Sequence, residues 1–177
     1  MSNLIKNIIR FCIFILIQVF VLDQIPPLHQ LVTPYVYILF IVWLPFKMGR
    51  RMQMLVAFAL GFSLDCFSKS YGMHAAACVL IAYFRPFIIN LLISQEGAES
   101  NYNEPSIQSM GFTPYLTYVT ILTFIHHTFL YFLQALQTGG YFYFFLKSLI
   151  STAISLLLIL LIELLFPRKQ RFRTNTI

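Results

Sequence analysis

Ser148–Phe166 reads SLISTAISLLLILLIELLF and runs directly into Pro167-Arg168-Lys169-Gln170-Arg171-Phe172-Arg173. About nineteen mostly aliphatic residues, rising about 1.5 Å each, match the hydrocarbon thickness of a bilayer. Glu163 is the one ionisable group in the run. The basic cluster behind it is of the kind that stays in the cytoplasm, because Lys and Arg beside a span resist translocation. Lipid is therefore the solvent in which the chain is to be read.

Composition agrees along the whole length. Of 177 residues, 59% are hydrophobic and 10% charged, with 19 Phe and 10 Tyr. A water-soluble domain carries about a quarter charged residues, so a water-facing surface is excluded. The length suits one helical bundle and no second soluble domain. The net charge of +6 sits beside apolar runs rather than along a polar face, which argues against nucleic acid. Cys12, Cys66 and Cys78 lack CxxC spacing and read as small apolar-segment residues, not as a disulfide framework or metal site.

Six apolar segments emerge, at about 8–22, 31–46, 52–67, 72–93, 113–136 and 143–166. The first lacks a small-residue cleavage site and is expected to be retained. The second contains Pro34 and Pro45, and its sixteen residues make only about 24 Å of helix, so it needs a thinned bilayer or a sheltered position. The polar stretch Ser94–Met110, with Glu96, Glu99 and Glu104, has the composition of a flexible loop. Gly139-Gly140 marks a helix stop after the fifth segment.

With the N-terminus inside, ten basic residues fall on the cytoplasmic side: Lys6, Arg10, Lys47, Arg50, Arg51, Arg85, Arg168, Lys169, Arg171 and Arg173. Lys69 and Lys147 remain outside. That bias predicts an all-α integral membrane protein, a six-transmembrane-helix bundle with both termini inside and the 94–110 loop cytoplasmic.

The most specific local pattern is Gly61-Phe62-Ser63-Leu64-Asp65-Cys66-Phe67-Ser68-Lys69-Ser70-Tyr71-Gly72-Met73-His74. Ala57, Gly61 and Asp65 share one helix face at i, i+4, i+8, and His74, Cys78 and Ala82 repeat the spacing on the next helix. Small residues let backbones approach, so the two faces are expected to pack and bring Asp65 near His74. Asp65 would sit at a helix C-terminus, where the dipole disfavours its charge. The compensating group is expected to be Lys69 at i+4 or the His74 imidazole, with Ser68 and Ser70 in support. A structural clasp is the preferred reading over a ligand or proton site.

The other polar residues give weaker signals. His126 and His127 point about 100° apart on one helix, and no HxxxH or HxxE spacing suggests a metal. They read as structural hydrogen-bonding groups, one toward a neighbouring helix and one toward a polar pocket. Glu163 is expected to snorkel toward Arg168 or the headgroups, and Arg10 and Gln18 on the first segment fit the same reading. Phe11, Phe14 and Phe20, and the run Tyr141–Phe145, are read as lipid or interfacial contacts rather than a partner surface. The Lys47, Arg50, Arg51 cluster suits anionic lipid. No phosphate loop, nucleophile elbow or carboxylate pair reaches threshold, so no catalytic residue, metal or cofactor is assigned.

At the Gly61–His74 motif the chain resembles the rod-shape-determining membrane protein family MreD. The shared pattern runs Gly-x-x-x-Asp, a Ser-containing turn, then Gly-x-His-Ala, here Gly61, Asp65, Ser68, Gly72, His74 and Ala75. Ala82-Tyr83-Phe84-Arg85 and the basic ends of the second and third segments look similar too, whereas the 94–110 insertion is longer than the family leads one to expect. The resemblance implies a non-enzymatic subunit of the bacterial cell-elongation machinery in the inner membrane. Its partners would be an MreC-like periplasmic scaffold, the RodA glycosyltransferase with its class B penicillin-binding protein, and MreB filaments. It also implies a fold similar to the capture subunits of energy-coupling-factor vitamin transporters, so a small-molecule capture subunit is the alternative. A lipid-modifying enzyme has only Asp65, His74 and His126 to offer.

Overall fold

The computed structural model describes residues 3–25, 32–93, 102–139 and 141–165. Helix α1 (Asn3–Ile17) passes into one π-helical turn, Gln18–Leu22. Then follow α2 (Ile38–Val42), α3 (Arg50–Ser68), α4 (Met73–Leu92), α5 (Ile107–Met110), α6 (Phe112–Thr138) and α7 (Tyr141–Leu165). No strand occurs among the described residues. Among the described residues, four helical stretches are long and apolar enough to cross a membrane: Ile5–Leu22, Met73–Leu92, Phe112–Gln137 and Tyr143–Leu165. Their outward faces stay apolar, with Leu91, Leu157 and Leu164 among the exposed side chains, as lipid rather than water would require.

Helices α3 and α4 form a hairpin, α6 and α7 form a second, and α4 packs on α6. Helix α6 ends at Gly139, whose left-handed backbone (φ 75°) lets α7 begin almost at once. Helix α4 continues through Pro86 to Leu92.

The second apolar segment departs from expectation. Within its described part, 32–46, only Ile38–Val42 is helical, and the rest is irregular or extended. Every residue from Tyr35 to Leu44 is buried. The prolines at 34 and 45 discourage a long helix, and surrounding side chains supply the hydrogen bonds that such a helix would have made for itself. Around it pack Phe11, edge-on to Phe40, and Phe14, edge-on to Trp43. Those two aromatics therefore hold the segment; Phe20, 59% exposed, is left facing outward.

The polar stretch at 94–110 also differs in its described portion, 102–110. Arg10 Nη1 donates to both carboxylate oxygens of Glu104, each at 2.9 Å. Phe46 N–H donates to the Asn103 carbonyl. Ser106 and Ser109 form a reciprocal capping box at the start of α5. This portion is docked, because an Arg–carboxylate ion pair, with one guanidinium nitrogen shared between both oxygens, ties it to α1. Glu96 and Glu99 lie outside the described residues, as does the basic tail.

Candidate functional site

The α3–α4 junction is built from the backbone outward. Gly61 needs its missing side chain: a Cβ there would lie 2.5 Å from Ala75 Cα and 2.6 Å from the His74 carbonyl oxygen. With Ala57, Cys78 and Ala82 fully buried around it, the two helices approach as closely as small residues allow. The turn winds through left-handed backbone at Lys69 (φ 53°), Tyr71 (φ 52°) and Gly72 (φ 85°). Only the last is a glycine, so Lys69 and Tyr71 hold a conformation that side chains disfavour. Tyr71 is 90% exposed.

Asp65 is compensated by a group that spacing alone did not indicate. Its Oδ1 accepts from His74 N–H at 3.0 Å and from Ser70 Oγ at 2.5 Å, and its Oδ2 accepts from Ala75 N–H at 2.9 Å. The carboxylate thus caps the N-terminus of α4, where the dipole and the free N–H groups favour an anion. The cost at the end of α3 is offset by the gain at the start of α4. Asp65 and His74 are adjacent, yet the contact is through the His74 backbone and not its ring. Lys69 makes no ion pair with Asp65 among the described residues. Ser68 is exposed and Ser70 supplies the hydroxyl.

The His74 ring turns the other way, into the second segment. Tyr37 Oη lies 2.7 Å from His74 Nδ1 and 2.9 Å from His126 Nε2. His127 Nδ1 donates to the Thr123 carbonyl at 2.8 Å, and its Nε2 accepts from Ser155 Oγ at 3.1 Å. Both histidines of α6 are fully buried: His127 meets the neighbouring helix α7, and His126 meets Tyr37 rather than a polar pocket. Their 100° separation lets them bracket the segment, one on Tyr37 and one on α7.

The irregular backbone of residues 33–44 is satisfied by side chains from other helices. Gln18, on the π-turn, donates through Nε2 to the Pro34 carbonyl and accepts through Oε1 from Val36 N–H. Ser151 and Ser155 of α7 accept from the N–H groups of Thr33 and Tyr35. Tyr118 donates to the Val42 carbonyl, and Tyr131 to the Thr33 carbonyl. Arg85 donates through Nη2 to the Leu44 carbonyl, through Nε to Tyr118 Oη and through Nη1 to Gln53 Oε1.

Arg85 is 1% exposed, so this cation belongs to the core and not to a cytoplasmic loop. Sequence reasoning missed it because an Arg before Pro at the end of an apolar run looks like a topology signal. Glu163 is likewise buried, and Arg168, its expected partner, lies outside the described residues.

Two concavities adjoin the junction. One, of about 1040 Å³, is an apolar groove between α3 and α4, lined by Phe58, Phe62, Val79, Leu80, Tyr83 and Phe129. The other, of about 470 Å³, is polar and lies between the end of α1, residues 32–35 and the α3–α4 turn. No three His, Cys, Asp or Glu side chains stand together as metal ligands among the described residues.

These features define an all-helical protein with helices suited to a bilayer and a segment of irregular backbone held at its centre. A scan of protein-family models matches none to this chain, and searches of curated proteins and of solved structures return no match.

Proposed function

We propose that the chain is a multi-pass subunit of the bacterial cell-elongation machinery in the inner membrane, acting as a scaffold without turnover. In this reading the backbone crosses the bilayer six times, through α1, residues 32–46, α3, α4, α6 and α7, with both termini inside. Moving Arg85 from the loops to the core leaves nine basic residues (ten less one) on the cytoplasmic side against two outside, so the bias keeps its sign. The resemblance to MreD and to energy-coupling-factor capture subunits belongs to this proposal.

The observation that carries it is the α3–α4 junction. Its signature residues Gly61, Asp65, Gly72 and His74 are spent on close helix approach, a cap, a left-handed turn and a core hydrogen bond, and none on a reacting group. Beside them lies the apolar groove, exposed along Phe58 and Phe62. A single membrane helix of an MreC-like periplasmic scaffold fits such a surface, where packing rather than water exclusion drives association. RodA with its penicillin-binding partner, and MreB, would assemble through that contact.

The test is a mild-detergent pull-down of the tagged chain from its native membrane, with mass spectrometry of proteins and small molecules. Recovery of a coiled-coil periplasmic scaffold with wall-synthesis enzymes is expected, and Ala76→Trp, which fills the groove from its exposed wall, should remove them. A second reading, a capture subunit of a vitamin transporter, is favoured by the polar cavity. A stoichiometric ligand recovered with ATPase partners would establish that reading and overturn the first.

A further inference from the structure

The polar cavity has a wall of unusual make-up. Asp23 is the one formally charged side chain in it, and no Lys or Arg lines it among the described residues. Asp23 Oδ1 accepts from Gln18 Nε2 at 2.8 Å, while Oδ2 takes no hydrogen bond from a described residue. Asp23 is exposed at the rim of the cavity, where partial desolvation raises its carboxyl above the ordinary range and the Gln18 amide pulls it partly back. An ammonium beside it would act in the opposite sense and favour the anion.

Residues 32–35, Ser70, His74 and Gln134 form the remaining polar wall. Irregular backbone at membrane depth is tolerated where it is buried in protein or lines a cavity, and here the same segment does both. Broken segments of this kind form substrate sites in transporters.

The proton positions behind the wall constrain the ligand further. Tyr37 has one hydroxyl proton and faces two histidine nitrogens, so at least one ring must donate to it. His126 Nδ1 is buried without a partner. An orphan lone pair is less costly than an orphan N–H, which puts the His126 proton on Nε2. His126 then donates to Tyr37, Tyr37 donates to His74 Nδ1, and the His74 proton is left on Nε2. That ring lines the cavity, so His74 presents a donor to its occupant.

The volume of about 470 Å³ lies within the range of small-molecule sites. We infer that the cavity binds a small hydroxylated amine, an amino sugar or amino alcohol, with its ammonium on Asp23 and a hydroxyl accepting from His74 Nε2. A neutral polyol would leave Asp23 without its counter-charge, and an anion would meet it directly.

The inference is independent of whether the chain scaffolds wall synthesis or serves a transporter, so its failure leaves either reading intact. The experiment uses the full chain in detergent, with its melting followed against D-glucosamine, D-glucose and N-acetyl-D-glucosamine. Glucosamine should give a saturable rise of about 3 °C or more. Blocking or removing the amine should weaken binding about tenfold or more, since a charge-assisted hydrogen bond is lost. Asp23→Asn should weaken glucosamine to the level of glucose. Ser68→Trp, which fills the cavity from an exposed position outside the Asp65 clasp, should abolish all three responses in a protein that still melts cooperatively. Absence of a saturable glucosamine shift in the folded wild-type chain would overturn the inference. So would equal shifts for glucosamine and its N-acetyl derivative, or an unchanged response in Asp23→Asn or Ser68→Trp.

Discussion

The α3–α4 hairpin and residues 32–46 both place backbone polar groups among apolar side chains, and they satisfy them in opposite ways. In the hairpin the partners are near in sequence: Asp65 reaches Ser70, His74 and Ala75 across ten residues at most. In the buried segment they are remote, with Ser155 reaching back to Tyr35 and Arg85 to Leu44. The hairpin completes itself. The segment is completed by helices that surround it, and its irregular path is stable only because four other parts of the chain supply donors and acceptors.

Substitutions can break this contrast or sharpen it. The largest effect is expected at the hairpin, from Gly61→Leu, because the new side chain meets backbone that cannot rotate away. Overpacking against a rigid neighbour costs about 3 kcal/mol or more, enough to remove folded protein on size-exclusion after extraction. A normally folded Gly61→Leu chain would refute the close approach.

Arg85→Leu comes next. Replacing a buried charge by an apolar residue often costs little, but here it orphans the Leu44 carbonyl and leaves space beside Tyr118 and Gln53. Orphaning dominates, for a loss of about 2–3 kcal/mol in denaturant unfolding, with Arg85→Lys intermediate because it loses the forked geometry. No loss in Arg85→Leu would mean that the segment holds without its guanidinium.

Asp65→Ala should cost about 2 kcal/mol, the worth of a strong helix cap, and Asp65→Asn clearly less because one oxygen remains an acceptor. Melting curves of the two separate a capping role from a charge role: equal losses would favour charge.

The smallest single effect is Ser155→Ala, about 0.6 kcal/mol, the typical value of one side-chain hydrogen bond between membrane helices. It sharpens the comparison through coupling. Ser151→Ala with Ser155→Ala should lose more than the sum of the singles, since both hold one stretch of backbone. Additive losses would show that residues 33–35 are held independently at each point.

The same contrast explains what the sequence could disclose. The hairpin was legible because Ala57, Gly61 and Asp65 at i, i+4, i+8, and His74, Cys78 and Ala82 opposite, are spacings on single helices. Even there only Ser70 among the partners of Asp65 is legible. Spacing pairs a side-chain anion with side-chain cations, whereas two backbone N–H groups of the next helix supply the rest. The long apolar helices were legible from run length. The unwinding of 32–46 was signalled only by Pro34 and Pro45. The groups that make it affordable, Gln18, Arg85, Ser151 and Ser155, each have an ordinary local reading as packing or topology residues. Their roles arise from pairings over as many as 120 residues, which no local period records.

The reach of those pairings has a consequence for the order of events at the ribosome. Thr33 and Tyr35 are made early, and the hydroxyls that accept from their N–H groups lie near the middle of the last described helix. Until α7 emerges, residues 32–36 have no helix of their own and lack two of their acceptors. The segment must therefore wait in water, at the interface or inside the insertion machinery while more than a hundred residues are added. It takes its place only when α7 arrives.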